Sequence, residues 1–201
     1  MAFLKKTQQP NAPAMPENAA AVLAALQAPT IEVRRQAARA ASQYPECSAP
    51  LCALLETEAD AGVRAHMLTA LTKMQTAAIA KALSVYLRSE DVSLRNDVIV
   101  ALQQMPEALA PYMHDLLHDS DRDVRIFALT ILAHQPSAAA RDWLLEVIAH
   151  EPDITICATA LEALAELSTP DIIPALHTLA SRFDSDFMRF AVNAAIQRIQ
   201  A

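Results

Sequence analysis

Apolar residues return along this chain with a period of about thirty residues, and the same polar pattern introduces each return. The pattern reads Asp-x-x-(Val/Leu)-Arg-x-x-(apolar)-x-x-Ala-Leu. Clear copies start at Asp60, Asp91 and Asp121, and weaker copies start at Thr30, Asp153 and Ser185. The apolar position three residues after each start is Val33, Val63, Leu94, Val124, Ile156 or Met188. A fixed period of this size predicts a solenoid of stacked units.

The spacing of apolar residues inside each unit predicts helices. They fall four, five, seven, eight and eleven residues after the periodic apolar position, which places them on one helix face. Second helices are predicted at 31–43, 61–74, 92–105, 122–134, 154–167 and 186–200. First helices are predicted at 17–27, 46–57, 76–88, 107–118, 137–150 and 170–181. Residues 17–201 are thus expected to form one all-α domain. Residues 1–16, with three prolines, are expected to form a disordered or extended tail.

The polar part of the pattern has a structural interpretation. The six starting residues are all of types that cap helix N-termini. Arginine follows the periodic apolar position in five of the six repeats, and Cys157 replaces it in the fifth. We expect each guanidinium to reach the cap aspartate of its own or the adjacent repeat. The resulting structural ladder contains Asp60, Arg64, Asp91, Arg95, Asp121 and Arg125. An anion-binding stripe is the functional alternative, and the missing arginine predicts a local irregularity at Cys157.

Composition excludes several classes of site. The single glycine, Gly62, cannot build a phosphate-binding loop, a dinucleotide fingerprint or a nucleophile elbow. Cys47, Cys52 and Cys157 lack metal-site spacing and are expected in the core of a protein from a reducing compartment. The N-terminal residues carry no apolar run typical of a secretory signal. These features favour a soluble, cytoplasmic protein.

The net charge of -7 is unevenly distributed. Residues 1–45 contain five basic and two acidic residues, whereas residues 46–201 contain eleven and twenty-one. Nucleic-acid binding needs clustered basic residues, and only Arg34, Arg35 and Arg39 cluster. We therefore expect neither a nucleic-acid partner nor a membrane partner.

The repeated motif Asp-x-x-Val-Arg-x-x-Ala-x-x-Ala-Leu resembles the HEAT repeat of the armadillo-like superfamily, in the short-period form of phycobilisome-lyase-like repeats. The resemblance covers about residues 17–201. It implies an α-α superhelix of about six antiparallel helix pairs, whose second helices line a concave, partner-binding side. The chain departs from the family by lacking the glycine common after the second helix. Pro45, Pro106 and Pro136 follow second helices instead.

Some proteins with similar repeats are enzymes, but their sites are not evident here. Deoxyhypusine hydroxylases hold two irons through several His-Glu pairs, and this chain has one, His150-Glu151. His114 and His118 are four residues apart, a spacing that can chelate a metal, but no third ligand is evident. They are expected to be surface histidines. No catalytic residue, cofactor or metal site is predicted.

Residues on the second helices that are not committed to the core form the predicted partner surface. The candidate contact residues are Arg35, Arg39, His66, Asn96, Val100, Ile126, Phe127 and Thr130. Val100, Ile126 and Phe127 would form an exposed apolar patch that anchors a peptide or helix, with an acidic flank toward Arg35 and Arg39. The alternative is that Ile126 and Phe127 pack against adjacent helices. Phe190 raises the same question in the last repeat.

The sequence therefore predicts a non-catalytic adaptor or scaffold that binds another protein on the concave face of an all-α solenoid. The alternative is an enzyme or accessory subunit on the same repeats, resembling a bilin lyase or a DNA glycosylase.

Overall fold

The computed structural model describes residues 16–135, 137–167 and 170–200. Within these residues every regular element is helical. The twelve α-helices are α1 (Ala19–Leu26), α2 (Ile31–Ala40), α3 (Ser48–Leu54), α4 (Ala61–Met74), α5 (Ala77–Ser84), α6 (Val92–Gln103), α7 (Pro106–Leu117), α8 (Arg122–Leu132), α9 (Ala138–His150), α10 (Ile154–Leu167), α11 (Ile173–Arg182) and α12 (Asp186–Gln200). Short 3₁₀ turns span Ala41–Gln43, Pro45–Cys47, Val85–Arg88 and Pro170–Ile172.

The predicted fold class is confirmed, since the odd-numbered and even-numbered helices are the first and second helices of six pairs. Differences lie at helix ends, where 3₁₀ turns replace the last or first helical turn. The predicted tail is residues 1–16, and all of it except Pro16 lies outside the described residues.

The N-termini of the second helices are capped as the pattern indicates. Asp60 Oδ1 accepts a hydrogen bond from the backbone N–H of Val63 at 2.9 Å. Asp91, Asp153 and Ser185 accept equivalent bonds, and Asp121 accepts from the N–H of Asp123, two residues later. Thr30 forms no side-chain cap bond. Capping by these side chains satisfies backbone donors that a helix N-terminus leaves without partners.

The described chain divides into two compact units, one ending at Met74 and the other beginning at Gln75. In the first unit α2 packs against α1 and α4. In the second unit α8 lies between α6 and α10, and α10 also packs against α12. Buried alanines on these helices let neighbouring backbones approach closely. The expectation of one continuous domain stays a prediction.

After α4, a glutamine takes the place of the glycine that is common after the second helix in the family. That helix ends at Met74, and Gln75 takes a left-handed backbone conformation with φ 50°. Glycine is the usual residue at this position after a helix because it lacks a Cβ atom. A glutamine therefore ends this helix.

The three cysteines are buried, as predicted for core residues. Burial raises the pKa of the Cys52 thiol to about 11, and burial also raises the pKa of Cys157 to about 11. No described helix combines the length and the apolar character that crossing a bilayer would need.

Candidate partner-binding surface

The arginines of the repeat bond different acids from those predicted. Arg34 donates from Nε and Nη2 to the carboxylate of Glu58 at 2.8 and 3.0 Å. Arg125 donates to Glu151 in the same bidentate way, at 3.0 and 3.3 Å. Both glutamates stand two residues before the cap aspartate of the next repeat. The predicted pairing with cap aspartates is therefore wrong for Arg34 and Arg125.

The packing of successive helix pairs brings the glutamates, rather than the cap aspartates, within reach of these arginines of the preceding repeat. Each glutamate also accepts a backbone bond. Glu58 Oε1 accepts from the N–H of Asp60 at 2.8 Å, and Glu151 Oε1 accepts from that of Asp153 at 3.0 Å. The bond from Arg34 is the largest cause that holds the pKa of Glu58 below its ordinary value.

A second recurring contact runs from the arginine to the carbonyl six residues earlier. Arg34 donates to the Ala28 carbonyl at 3.0 Å, Arg95 to that of Ser89 at 2.6 Å, and Arg125 to that of Asp119 at 2.8 Å. These bonds satisfy carbonyls that follow the first helix of each pair. Each of these three guanidinium groups is thus bonded inside the chain through at least one nitrogen. Arg64 is buried, with 7% of its surface exposed.

The fifth repeat keeps this contact without its arginine. Cys157 Sγ donates to the Glu151 carbonyl at 3.2 Å. Arg182, at the end of α11, donates to the same carbonyl at 2.8 Å and also to the Ile148 carbonyl. At the predicted irregularity, an arginine from the following first helix therefore supplies the carbonyl bond that the missing arginine would have made.

The predicted contact residues of the first unit are engaged with one another and with acids. Arg35 lies 3.3 Å from Glu32 and 3.6 Å from Asp60. Arg39 Nε donates to His66 Nε2 at 3.1 Å. Burial lowers the pKa of His66, and the charges of Arg39 and Arg35 lower it further. The predicted basic strip is therefore partly neutralised by its own neighbours.

The predicted apolar patch of the second unit is only partly exposed. Asn96 is exposed, and Val100 keeps 53% of its surface accessible. Ile126 and Phe127 are half-buried, and the Arg95 guanidinium lies over the Phe127 ring at 5.3 Å. Thr130 is half-buried, and its hydroxyl donates to the Ile126 carbonyl at 3.0 Å. Of the two alternatives, packing against adjacent helices describes Ile126 and Phe127 better, because α8 has helices on both flanks.

The large exposed aromatic residues lie instead on α12. Phe187 is 58% exposed and Phe190 is 75% exposed. They border a cavity of about 190 Å³ between α10 and α12, which we call the C-terminal groove. Its lining consists of Ala158, Leu161, Glu162, Ala165, Phe187, Phe190, Ala191, Ala194, Ala195 and Arg198. Alanines form most of its floor, so its width comes from small side chains.

Most residues of the groove occupy the positions of the second helices that were predicted to face a partner. They lie in the last two repeats, whereas the predicted contact residues lie in the first four. Phe190 stands two residues after Met188, as Ile126 stands two after Val124. Sequence reasoning singled out Phe190 but missed Phe187, which precedes the periodic apolar position. An aromatic residue in the first turn beside Asp186 was the available signal.

Charged residues stand on the rim of the groove. Glu162 is exposed, and Arg198 donates to Glu166 at 2.8 Å. At the start of α12, Asp184 and Asp186 lie 3.5 and 2.5 Å from Arg189. Residues 154–200 hold five acidic and three basic side chains. The groove therefore combines an apolar floor with a charged rim, in a region of small net negative charge.

A separate cluster forms around the two histidines of α7. His114 Nε2 and His118 Nε2 lie 3.6 and 3.7 Å from Oε1 of Glu146 on α9. The expectation that these histidines lack a third neighbouring donor was wrong, because the next repeat supplies it.

Several solved structures resemble the chain. An archaeal HEAT-like repeats protein from Thermococcus onnurineus is 14% identical, with TM-score 0.42 over 90% of this chain and 86% of that one. Computationally designed armadillo repeat proteins for modular peptide recognition are 17% identical, with a TM-score of 0.45 over 92% of this chain and 99% of that one. A chain of the complex of CpcE and CpcF of phycocyanin lyase from Nostoc is 16% identical, with a TM-score of 0.40 over 99% of this chain and 100% of that one.

No curated protein matches the chain. The family model for HEAT repeats matches residues 107–197, which include both phenylalanines of the groove. The resemblance seen in the sequence is therefore confirmed by a match over these residues.

Proposed function

We propose that the chain is a non-catalytic adaptor that binds another protein in the C-terminal groove. The observation that carries the proposal is the exposure of Phe187 and Phe190 beside a floor of alanines. Exposed aromatic clusters of this kind mark interaction sites in soluble proteins. Burial of one such ring on binding contributes about 1.5–3 kcal/mol.

The partner segment that fits this groove is an amphipathic helix or short peptide with one large apolar anchor. Its anchor enters between the two phenylalanine rings and contacts Leu161. Basic residues flank the anchor, because Glu162 stands on the rim and the surrounding repeats are acidic. This partner differs from the acidic segment expected from the sequence, since Arg35 and Arg39 are engaged within the first unit.

The proposal that the chain is not an enzyme rests on the chemistry of the groove lining. Most of the lining consists of the apolar side chains of alanine, leucine and phenylalanine. The one carboxylate and one guanidinium on the rim serve to orient a charged segment of the partner. A cytoplasmic location belongs to the same proposal, because buried thiols are typical of proteins from reducing compartments.

A displayed library of helix-forming peptides, selected against the full chain, tests the proposal. We expect selected peptides to share large apolar residues three or four positions apart and Lys or Arg on their flanks. Phe190→Asp should weaken their binding about 30-fold, the effect of losing a hot-spot residue. Glu162→Lys should weaken it less, through repulsion of the basic flank.

Val85→Asp is the matched control, because Val85 is 64% exposed on a different helix pair. It adds the same charge without touching the groove, and binding should not change. Selection of acidic peptides, or equal binding to the Phe190→Asp chain, would contradict the proposal. Circular dichroism of each variant verifies that the helices remain.

A further inference from the structure

We propose that His114, His118 and Glu146 bind a Zn²⁺ ion. The three donor atoms lie within 4.8 Å of one another, on two helix pairs that follow each other in the chain. Two imidazoles and one carboxylate are a ligand set that Zn²⁺ takes in proteins. This inference goes beyond the proposed function, which uses α10 and α12.

The distances suit an ion better than a direct hydrogen bond. The two Nε2 atoms lie 3.6 and 3.7 Å from the same carboxylate oxygen. A hydrogen bond between these groups would be about 2.7–3.2 Å long. Donors around a tetrahedral Zn²⁺ with bonds of about 2.0–2.1 Å are about 3.4 Å apart. An ion thus fits between the three side chains with small shifts.

The histidine rings are already arranged for binding. The ring of His118 carries its Nδ1 2.9 Å from the His114 carbonyl oxygen. A carbonyl oxygen only accepts, so Nδ1 is the donor and Nε2 of the neutral ring keeps its lone pair. Such outer bonds fix the tautomer of metal-binding histidines. The two rings also stack, with centroids 4.3 Å apart.

The proposed site keeps one coordination position open. All three ligands are partly exposed, with side-chain accessibilities of 59%, 44% and 40%. Three protein ligands leave Zn²⁺ a fourth position for water or for a donor from a bound molecule. His118 and Glu146 also line a cavity of about 310 Å³.

Titration of the full chain with Zn²⁺ followed by calorimetry, and with Co²⁺ followed by visible absorption, tests the site. We expect one ion per chain and the intense absorption of tetrahedral Co²⁺. Glu146→Gln keeps the shape but removes the charge, and should weaken binding at least ~10-fold. His118→Asn should weaken it as much or more. Mg²⁺ and Ca²⁺, which prefer oxygen ligands, should not compete.

His134→Asn is the control, because His134 has the same Nδ1 contact to the carbonyl four residues earlier, at 3.0 Å. It should leave the affinity unchanged. Zn²⁺ should also raise the melting temperature of the unaltered chain and not that of Glu146→Gln, since the ion ties two repeats together. No saturable binding, or binding that survives both Glu146→Gln and His118→Asn, would overturn the site.

Discussion

Helices α8 and α12 carry the same kind of interruption, an apolar residue at a position that other repeats keep polar or small, but its surroundings differ. Ile126 on α8 is half-buried, whereas Phe190 at the equivalent place on α12 is 75% exposed. Helix α8 has α6 and α10 on its flanks, whereas α12 packs against α10 and α11. The same position in the repeat therefore serves packing in one helix and stays exposed in the other.

The ion pairs of the two helices differ in exposure in the same way. Arg125 on α8 is 17% exposed and holds Glu151, which is 8% exposed. Arg189 on α12 is 49% exposed and its partner Asp186 is 99% exposed. Loss of one partner of a buried ion pair is costly because it leaves the other charge buried and unpaired. The comparison indicates a firmly packed middle of this unit and a last helix whose side chains are accessible.

The largest expected effect breaks the buried pair. Arg125→Ala leaves Glu151 without its bidentate partner and the Asp119 carbonyl without its donor, and should lower the free energy of unfolding by about 3 kcal/mol. Arg189→Ala, the counterpart on α12, should leave the urea midpoint unchanged because exposed pairs contribute little. Equal midpoints for the two variants would remove the distinction between α8 and α12.

A charge at the interrupted position gives the next largest effect. Ile126→Asp places a carboxylate on a half-buried helix flank and should destabilise the chain by about 2 kcal/mol. Phe190→Asp should not lower stability, because the ring it removes is mostly in solvent. Thermal unfolding of both variants measures the contrast. A destabilisation by Phe190→Asp as large as that by Ile126→Asp would show that α12 is covered.

The next effect concerns the fifth repeat, where Cys157 replaces the arginine of the pattern and Arg182 supplies the carbonyl bonds instead. Arg182→Ala removes the donors to the Ile148 and Glu151 carbonyls and should cost about 1–2 kcal/mol. Cys157→Arg in the same chain should recover part of that loss, since it restores the arginine of the repeat pattern. A double variant no more stable than Arg182→Ala would mean that the two arginine positions are not equivalent.

The smallest effect is a pH dependence at the start of α8. Arg122 Nε donates to Asp153 Oδ2 at 2.6 Å, and this bond is the main cause that lowers the pKa of Asp153 to about 2. A carboxyl with a lowered folded pKa stabilises above its ordinary value of 3.8. That stabilisation is lost as the pH falls toward about 2. In Asp153→Asn, stability measured over this pH range should fall less steeply.

Much of the fold could be predicted from the sequence because its determinants are local. Cap residues, prolines and the apolar period act within one helix pair, and they placed all six second helices. The arginine partners could not be predicted in the same way. Glu58 and Asp60 are both acids two residues apart, and only the packing of successive pairs decides which one Arg34 reaches.

The candidate sites depend still more on packing. Ile126 and Phe190 occupy the same place in the pattern, so the pattern alone assigned them the same surroundings. Glu146 follows His118 by nearly one repeat, which is the signal that could have paired them. Its use requires knowing that successive first helices bring such positions together.

The bond from Arg125 to Glu151 has a consequence for how repeats can be exchanged. Arg125 belongs to one helix pair and Glu151 to the loop that ends the next first helix, so a hairpin cut out at its turns carries only half of this bond. A segment that runs from just before Arg125 to just after Glu151 carries both halves of one bond. Duplication or transplantation of this arginine-to-glutamate segment, rather than of the hairpin, therefore keeps this bond intact.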